Sequence, residues 1–140
     1  MKISARNILA GTVSHVLKGA VNSEVEVSLA GGEKIVAVIT NASVEFLGLT
    51  EGVVACAIVK ANEVIIGKGL DGAKFSARNV LNGVVEKVDD GAVNSEVVLV
   101  LGGGEKLVAS ITKASVQALG LASGDAASAI IKASNVLIGV

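Results

Sequence analysis

The chain has 140 residues, 51% of them apolar, a formal net charge of −1 and an aromatic content of 1%. Two Phe with no Tyr or Trp argue against a base-stacking nucleic-acid platform, and the charge balance, with no basic tract, shows no phosphate-backbone footprint. The apolar content excludes a disordered chain, while one cysteine, Cys56, and one histidine, His15, exclude an intramolecular disulfide and a His-rich metal site.

The elements follow from the period of the apolar residues. Ile8–Val16 is β-branched and apolar and reads as a first strand, with Gly19 as the turn after it. Val21–Leu29 alternates: Val21, Ser23, Val25, Val27 and Leu29 are expected on the inner face, and Asn22, Glu24, Glu26 and Ser28 on the outer one. Gly31-Gly32 makes a hairpin turn into Lys34–Ile39. A short helix is expected over Ala42–Leu47, N-capped by Thr40 and ended by Gly48. Val53–Lys60 and Val64–Ile66 complete five strands. That order, with the helix between strands three and four, predicts a small OB-like barrel.

The whole pattern is then written again. At an offset of 72 the chain matches itself without a gap, with 40 identical pairs among the 68 compared. The expectation is two OB-like five-stranded β-barrel domains, mainly all-β with one short helix each, over residues 1–68 and 73–140, joined by a linker at 69–72. A unit of this size has a limited core, so the two gain by packing on each other. Positions that differ between the copies include Ser14/Glu86, His15/Lys87 and Cys56/Ser128, which argues against His15 and Cys56 as functional groups. MKISARNILAG lacks a signal-peptide hydrophobic region and no apolar run reaches membrane-spanning length. A soluble, cytoplasmic protein is expected.

No catalytic constellation is present in the sequence, and no enzyme is expected. Glu24/Glu96 and Glu33/Glu105 recur, but at turns or on polar strand faces, where solvation explains them. GGEK (Gly31–Lys34) and GGGEK (Gly102–Lys106) lack the GK[ST] and helix of a phosphate loop and read as hairpin turns. A set of anion-friendly groups is more informative. Thr40-Asn41-Ala42-Ser43 and Thr112-Lys113-Ala114-Ser115 open the two short helices, whose first-turn N–H groups and serine hydroxyls suit an oxyanion. Lys60 and Lys132 end apolar strands. Arg6 and Arg78, in the two SARN segments, carry guanidinium forks that match tetrahedral oxyanions. These groups recur in both copies without a recurring carboxylate beside them.

At these residues the chain resembles the molybdate-binding proteins called molbindins, of the tandem di-Mop type. SARN, GAVNSEV, Thr-x-Ala-Ser and Lys-Ala occur in order, twice, at matched spacing over essentially the whole chain. The resemblance implies cytoplasmic storage or buffering of molybdate and tungstate, without catalysis and without a cofactor, in a homotrimer whose chains contribute six domains. It implies two kinds of oxyanion pocket. In the first, Ser4, Ala5 and Arg6 face Thr112, Ser115, Lys132 and Ala133 of the other domain, and Ser76, Ala77 and Arg78 face Thr40, Ser43, Lys60 and Ala61. The second lies near the threefold axis and uses Gly19, Ala20, Val21 and Asn22, with Gly91, Ala92, Val93 and Asn94. Two other functions stay open at this point. One is a regulatory or transport-associated oxyanion sensor, disfavoured because the sequence shows no further segment; the other is an OB-type nucleic-acid binder, opposed by the scarcity of aromatics and the net charge.

Overall fold

A computed structural model describes residues 1–140. The first repeat forms β1 (Asn7–Lys18), β2 (Asn22–Leu29), β3 (Lys34–Thr40), the helix α1 (Asn41–Leu47), β4 (Val54–Val59) and the short β5 (Ile65–Gly67). The second forms β6 (Asn79–Asp90), β7 (Asn94–Leu101), β8 (Lys106–Thr112), α2 (Lys113–Leu119), β9 (Ala126–Ile131) and β10 (Leu137–Gly139). A 3-10 turn precedes each fifth strand, at Ala61–Glu63 and Ala133–Asn135. The result is mostly β, two curled five-stranded sheets of OB-like form with two helices.

Period two accounts for the burial. In β2, Ser23, Val25, Val27 and Leu29 are buried and the residues between them are not. Val21 departs from the expected inner face. It precedes the strand and is 71% exposed. Each α-helix ends where expected, with Gly48 and Gly120 left-handed at φ 63° and 59°, a conformation that costs glycine little and other residues more. Gly11 permits close approach of β1 and β2: a Cβ there would lie 2.3 Å from the Ser28 carbonyl oxygen.

The fifth strands are exchanged. β10, from the second repeat, pairs antiparallel with β4, Leu137 opposite Ile58, and β5, from the first, pairs with β9, Ile65 opposite Ile130. Each sheet thus takes four strands from one repeat and its edge strand from the other. The turn Ala133–Asn135 packs on β3 and Ala61–Glu63 on β8, so each repeat reaches across to close its neighbour. One apolar cluster accordingly runs through both, including Val25, Ile35 and Val59 with Val97, Leu107 and Ile131. The exchange leaves no trace in sequence, because both repeats carry equivalent fifth strands.

The hairpin tips also meet. Gly31 and Gly103 touch backbone to backbone, so that a Cβ on Gly31 would fall 2.4 Å from the Gly103 Cα. Glu33 accepts the Gly103 N–H at 2.7 Å, and Glu105 accepts the Gly31 N–H at 2.7 Å. These two carboxylates are therefore interdomain caps rather than solvated groups. The second oxygen of each is buried without a partner, so the clasp carries a desolvation cost.

Candidate functional site

The SARN segments are placed by their asparagines. Asn7 is 2% exposed and faces the other repeat. Its Nδ2 donates to the Val108 carbonyl at 2.8 Å, and its Oδ1 accepts the Val108 N–H at 2.7 Å. Asn79 does the same with Val36, at 2.8 and 2.7 Å. A side-chain amide thus acts as one residue of a β-ladder along the outer edge of β8 or β3. Because Asn7 is fixed, Arg6 is carried onto the second repeat, where its Nη1 bonds the Glu96 carboxylate. Arg78 Nη1 bonds Glu24 Oε1 at 2.6 Å. The arginines therefore have a recurring carboxylate beside them, contrary to expectation. Sequence distance hid it: the pairs are 90 and 54 residues apart.

The strand register decides which other groups are near. Glu96 lies opposite Ser110 on β8, and Asn94 opposite Thr112, so Arg6 reaches the end of β8 that leads into α2. The turn Ala61–Glu63 packs on the same strand, and Asn62 lines one groove with Ser110, Ser115 and Leu119. The mirror groove brings Ser134 to Val38, Ser43 and Leu47. The SARN segment of each repeat and the Thr-x-Ala-Ser turn of the other are thus brought to one region.

The lysines are distributed differently from the expected grouping. Asn7 pairs with Val59 at one end of the β1/β4 ladder, so Arg6 and Lys60 flank the same end. At the far end of β1, Lys18 pairs with Ser23, and the adjoining Asn22 pairs with Thr40. Lys60 and Thr40 stand at opposite ends of one sheet. The turn that follows Lys60, Ala61–Glu63, packs instead on β8 of the other repeat, where Asn62 shares a groove with Ser115. Lys60 and Ala61 therefore group with Arg6, Thr112 and Ser115. By the equivalent register, Asn79 opposite Ile131, Lys132 and Ala133 group with Arg78, Thr40 and Ser43. The antiparallel pairing of first and fourth strands is the reason.

The helix starts are closed on themselves. Thr40 Oγ1 accepts the Ser43 N–H at 3.1 Å and shares a 2.9 Å hydrogen bond with the Ser43 hydroxyl. Thr112 and Ser115 repeat this at 3.1 and 2.8 Å. These are ordinary N-caps in the chain as it stands. Ser4, Ser76, Lys60 and Lys132 are exposed, while Ala5 and Ala77 are half-buried.

Gly19, Ala20, Val21 and Asn22 are exposed, as are Gly91, Ala92, Val93 and Asn94. Leu17, Gly19, Asn22, Glu24 and Val38 line an open groove of about 370 Å³. The first GAVN turn is tied to α1: Asn41 Nδ2 donates to the Gly19 carbonyl at 2.9 Å, and Ser23 Oγ bonds Asn41 Oδ1 at 2.6 Å. Glu24, Glu96, Asn7 and Asn79 escaped the sequence reading as site residues. The one signal for them was recurrence in both copies.

The TOBE domain model matches residues 3–66 and again residues 76–138. The chain belongs to the TOBE domain family. Its tandem TOBE arrangement is that of the di-Mop proteins. The molybdenum-pterin-binding protein MopA of Rhodobacter capsulatus is 45% identical over 138 residues, 99% of this chain and 52% of the relative. The molybdenum transport protein ModE of Herbaspirillum seropedicae is 41% identical over 140 residues, all of this chain and 52% of the relative. The chain thus spans about half the length of these curated relatives. A crystal structure of the cytoplasmic molybdate-binding protein ModG with molybdate bound is 49% identical and superposes with a TM-score of 0.97, covering 100% of this chain and 99% of that one. The TOBE chain has no helix long and apolar enough to cross a membrane.

Proposed function

We propose that the chain binds molybdate and tungstate reversibly, without catalysis, as a cytoplasmic store or buffer of these oxyanions. The observation that carries this reading is the likeness to molybdate-bound ModG over the full length of both chains, joined to the twofold convergence of Arg, Lys and Thr-x-x-Ser between the repeats. One pocket takes Ser4, Ala5, Arg6, Lys60 and Ala61 with Thr112 and Ser115. Its mirror takes Ser76, Ala77, Arg78, Lys132 and Ala133 with Thr40 and Ser43. A dianion there exchanges its water for hydroxyl and N–H donors, and the arginine and lysine offset its charge, without which burial is costly.

The second kind of pocket uses Gly19–Asn22 and Gly91–Asn94 at an interface between chains in a homotrimer. Val21 and Val93 support it, being 71% and 74% exposed in the single chain, as apolar residues at an assembly interface are before they are covered. A second reading is an oxyanion-sensing module of a longer regulatory protein. The match to about half of ModE favours it.

Calorimetric titration with molybdate, tungstate and sulfate tests the proposal. Saturable heat with molybdate and tungstate, and much weaker heat with sulfate, is expected. Replacing Arg6 and Arg78 by Ala should remove the interdomain class of sites. A flat molybdate titration would sink the reading.

A further inference from the structure

We infer that Glu24 and Glu96 are built-in competitors of the bound oxyanion. Each holds the arginine of the opposite repeat, and the oxyanion takes that arginine by displacing the carboxylate. The inference rests on the function proposed above and adds to it the residues that set the affinity threshold.

Three observations carry it. Both pairs cross between the repeats and occur twice, Arg6 with Glu96 and Arg78 with Glu24, so neither is an accident of one surface. Both are half-exposed, with side-chain exposures of 55% and 40% in the first pair and 52% and 38% in the second. Exposed pairs of this kind contribute little to stability and break readily. Each carboxylate engages one terminal nitrogen, Nη1, of its guanidinium, and so occupies a corner of the fork that a tetrahedral oxyanion would use. A dianion and a carboxylate together would place three negative charges against the arginine and the pocket lysine, and at such separations the repulsion between the two anions is large. Exchange relieves it.

The exchange needs side-chain rotation and no more. Asn7 and Asn79 hold the backbone next to each arginine through two hydrogen bonds apiece, and molybdate-bound ModG keeps the same chain path at a TM-score of 0.97. On release, Glu24 is left in the groove that Gly19 and Asn22 line. Its charge then lies beside the second kind of pocket and weakens any anion there. The pair therefore sets the threshold of the first pocket and joins it, with negative sign, to the second.

The test compares the full chain with its Glu24→Gln/Glu96→Gln variant by molybdate calorimetry, alongside side-chain NMR of the arginine Nε–H groups without ligand. Glutamine keeps the size of glutamate but cannot form the ion pair, so folding is retained. The variant should bind molybdate about twofold to tenfold more tightly, as loss of a weak competing pair implies, and its arginine signals should shift in the absence of molybdate. Glu45→Gln is the control, because Glu45 lies in α1 two residues from Ser43 and faces Lys18, 3.8 Å away. It should leave the affinity unchanged. Equal tightening by Glu45→Gln would reduce the effect to general charge and overturn the inference. Unchanged or weaker binding in the double variant would overturn it too, with the functional reading intact. Absence of molybdate heat in the unaltered chain would remove the functional reading, and this inference with it.

Discussion

Where the two repeats meet, three polar contacts come in matched pairs. Asn7 on Val108 is answered by Asn79 on Val36, Arg6 on Glu96 by Arg78 on Glu24, and Glu33 on Gly103 by Glu105 on Gly31. On the outer faces the matching fails. Glu26, held by Ser14 and Lys34, has Val98 as its counterpart. It fails too at one contact between the repeats: Lys68 of the first reaches the carbonyls of Leu119 and Gly120 at 3.4 and 3.2 Å and Asp125 at 3.0 Å in the second, locking the end of α2, whereas its counterpart is Val140. Substitution has been tolerated outside these three matched contacts. At the boundary a change in one repeat would break a contact belonging to the other.

The sharpest way to break this comparison is at the buried amides. Asn7→Ala leaves the Val108 N–H and carbonyl without partners, and should cost about 2–6 kcal/mol at roughly 1–3 kcal/mol for each group left unsatisfied. Asn79→Ala should cost about the same, because its hydrogen bonds to Val36 have the same lengths, 2.8 and 2.7 Å. Denaturant midpoints of the two variants check this, and a clearly unequal loss would show that the boundary is not twofold in energy. Next in size is Gly31→Ala. Its new methyl meets the Gly103 backbone at 2.4 Å, and overpacking of this kind costs about 1–3 kcal/mol. Gly103→Ala should behave alike by the same measurement.

The smallest effect belongs to the unmatched contacts. The Lys68 ammonium first, and the Ala122 N–H second, hold the Asp125 carboxyl below its ordinary value of 3.8. A lowered folded value means a contribution present at neutral pH and lost as pH falls through that value. Lys68→Ala should therefore lower the thermal midpoint slightly at pH 7, and the difference should shrink as pH drops below 3.8. Glu26, held down mainly by Ser14 and then by Lys34, adds to the same acid-side decline below 4.5. A difference that grew in acid would contradict the pairing.

Much of this was legible in the sequence. Alternation in Val25, Val27 and Leu29, the Gly31-Gly32 turn, and Thr40 and Gly48 around α1 are local signals, and local signals survive in one dimension. The partners of those elements were not legible. IIG at 65–67 and LIG at 137–139 are interchangeable as edge strands, so cis and exchanged pairing read identically. The grouping of Lys60 with Arg6 depends on which strands are neighbours in the sheet, and Glu96 against Arg6 on how two sheets dock. The carboxylates at Glu24, Glu33, Glu96 and Glu105 were read as solvated because their partners are supplied by the other repeat.

The exchanged edge strand also bears on how the molecule is made. Ile58 must find Leu137, a pairing that spans more than half the chain. Loop closure over such a distance comes late and is entropically unfavourable until the contacts around it exist. During synthesis the first sheet can assemble β1 to β4 early, but its outer edge stays open until residues 137–139 have been made. An open edge is the surface on which neighbouring nascent chains pair wrongly. The duplication that gives two equivalent repeats thus also makes both halves of the fold mature together.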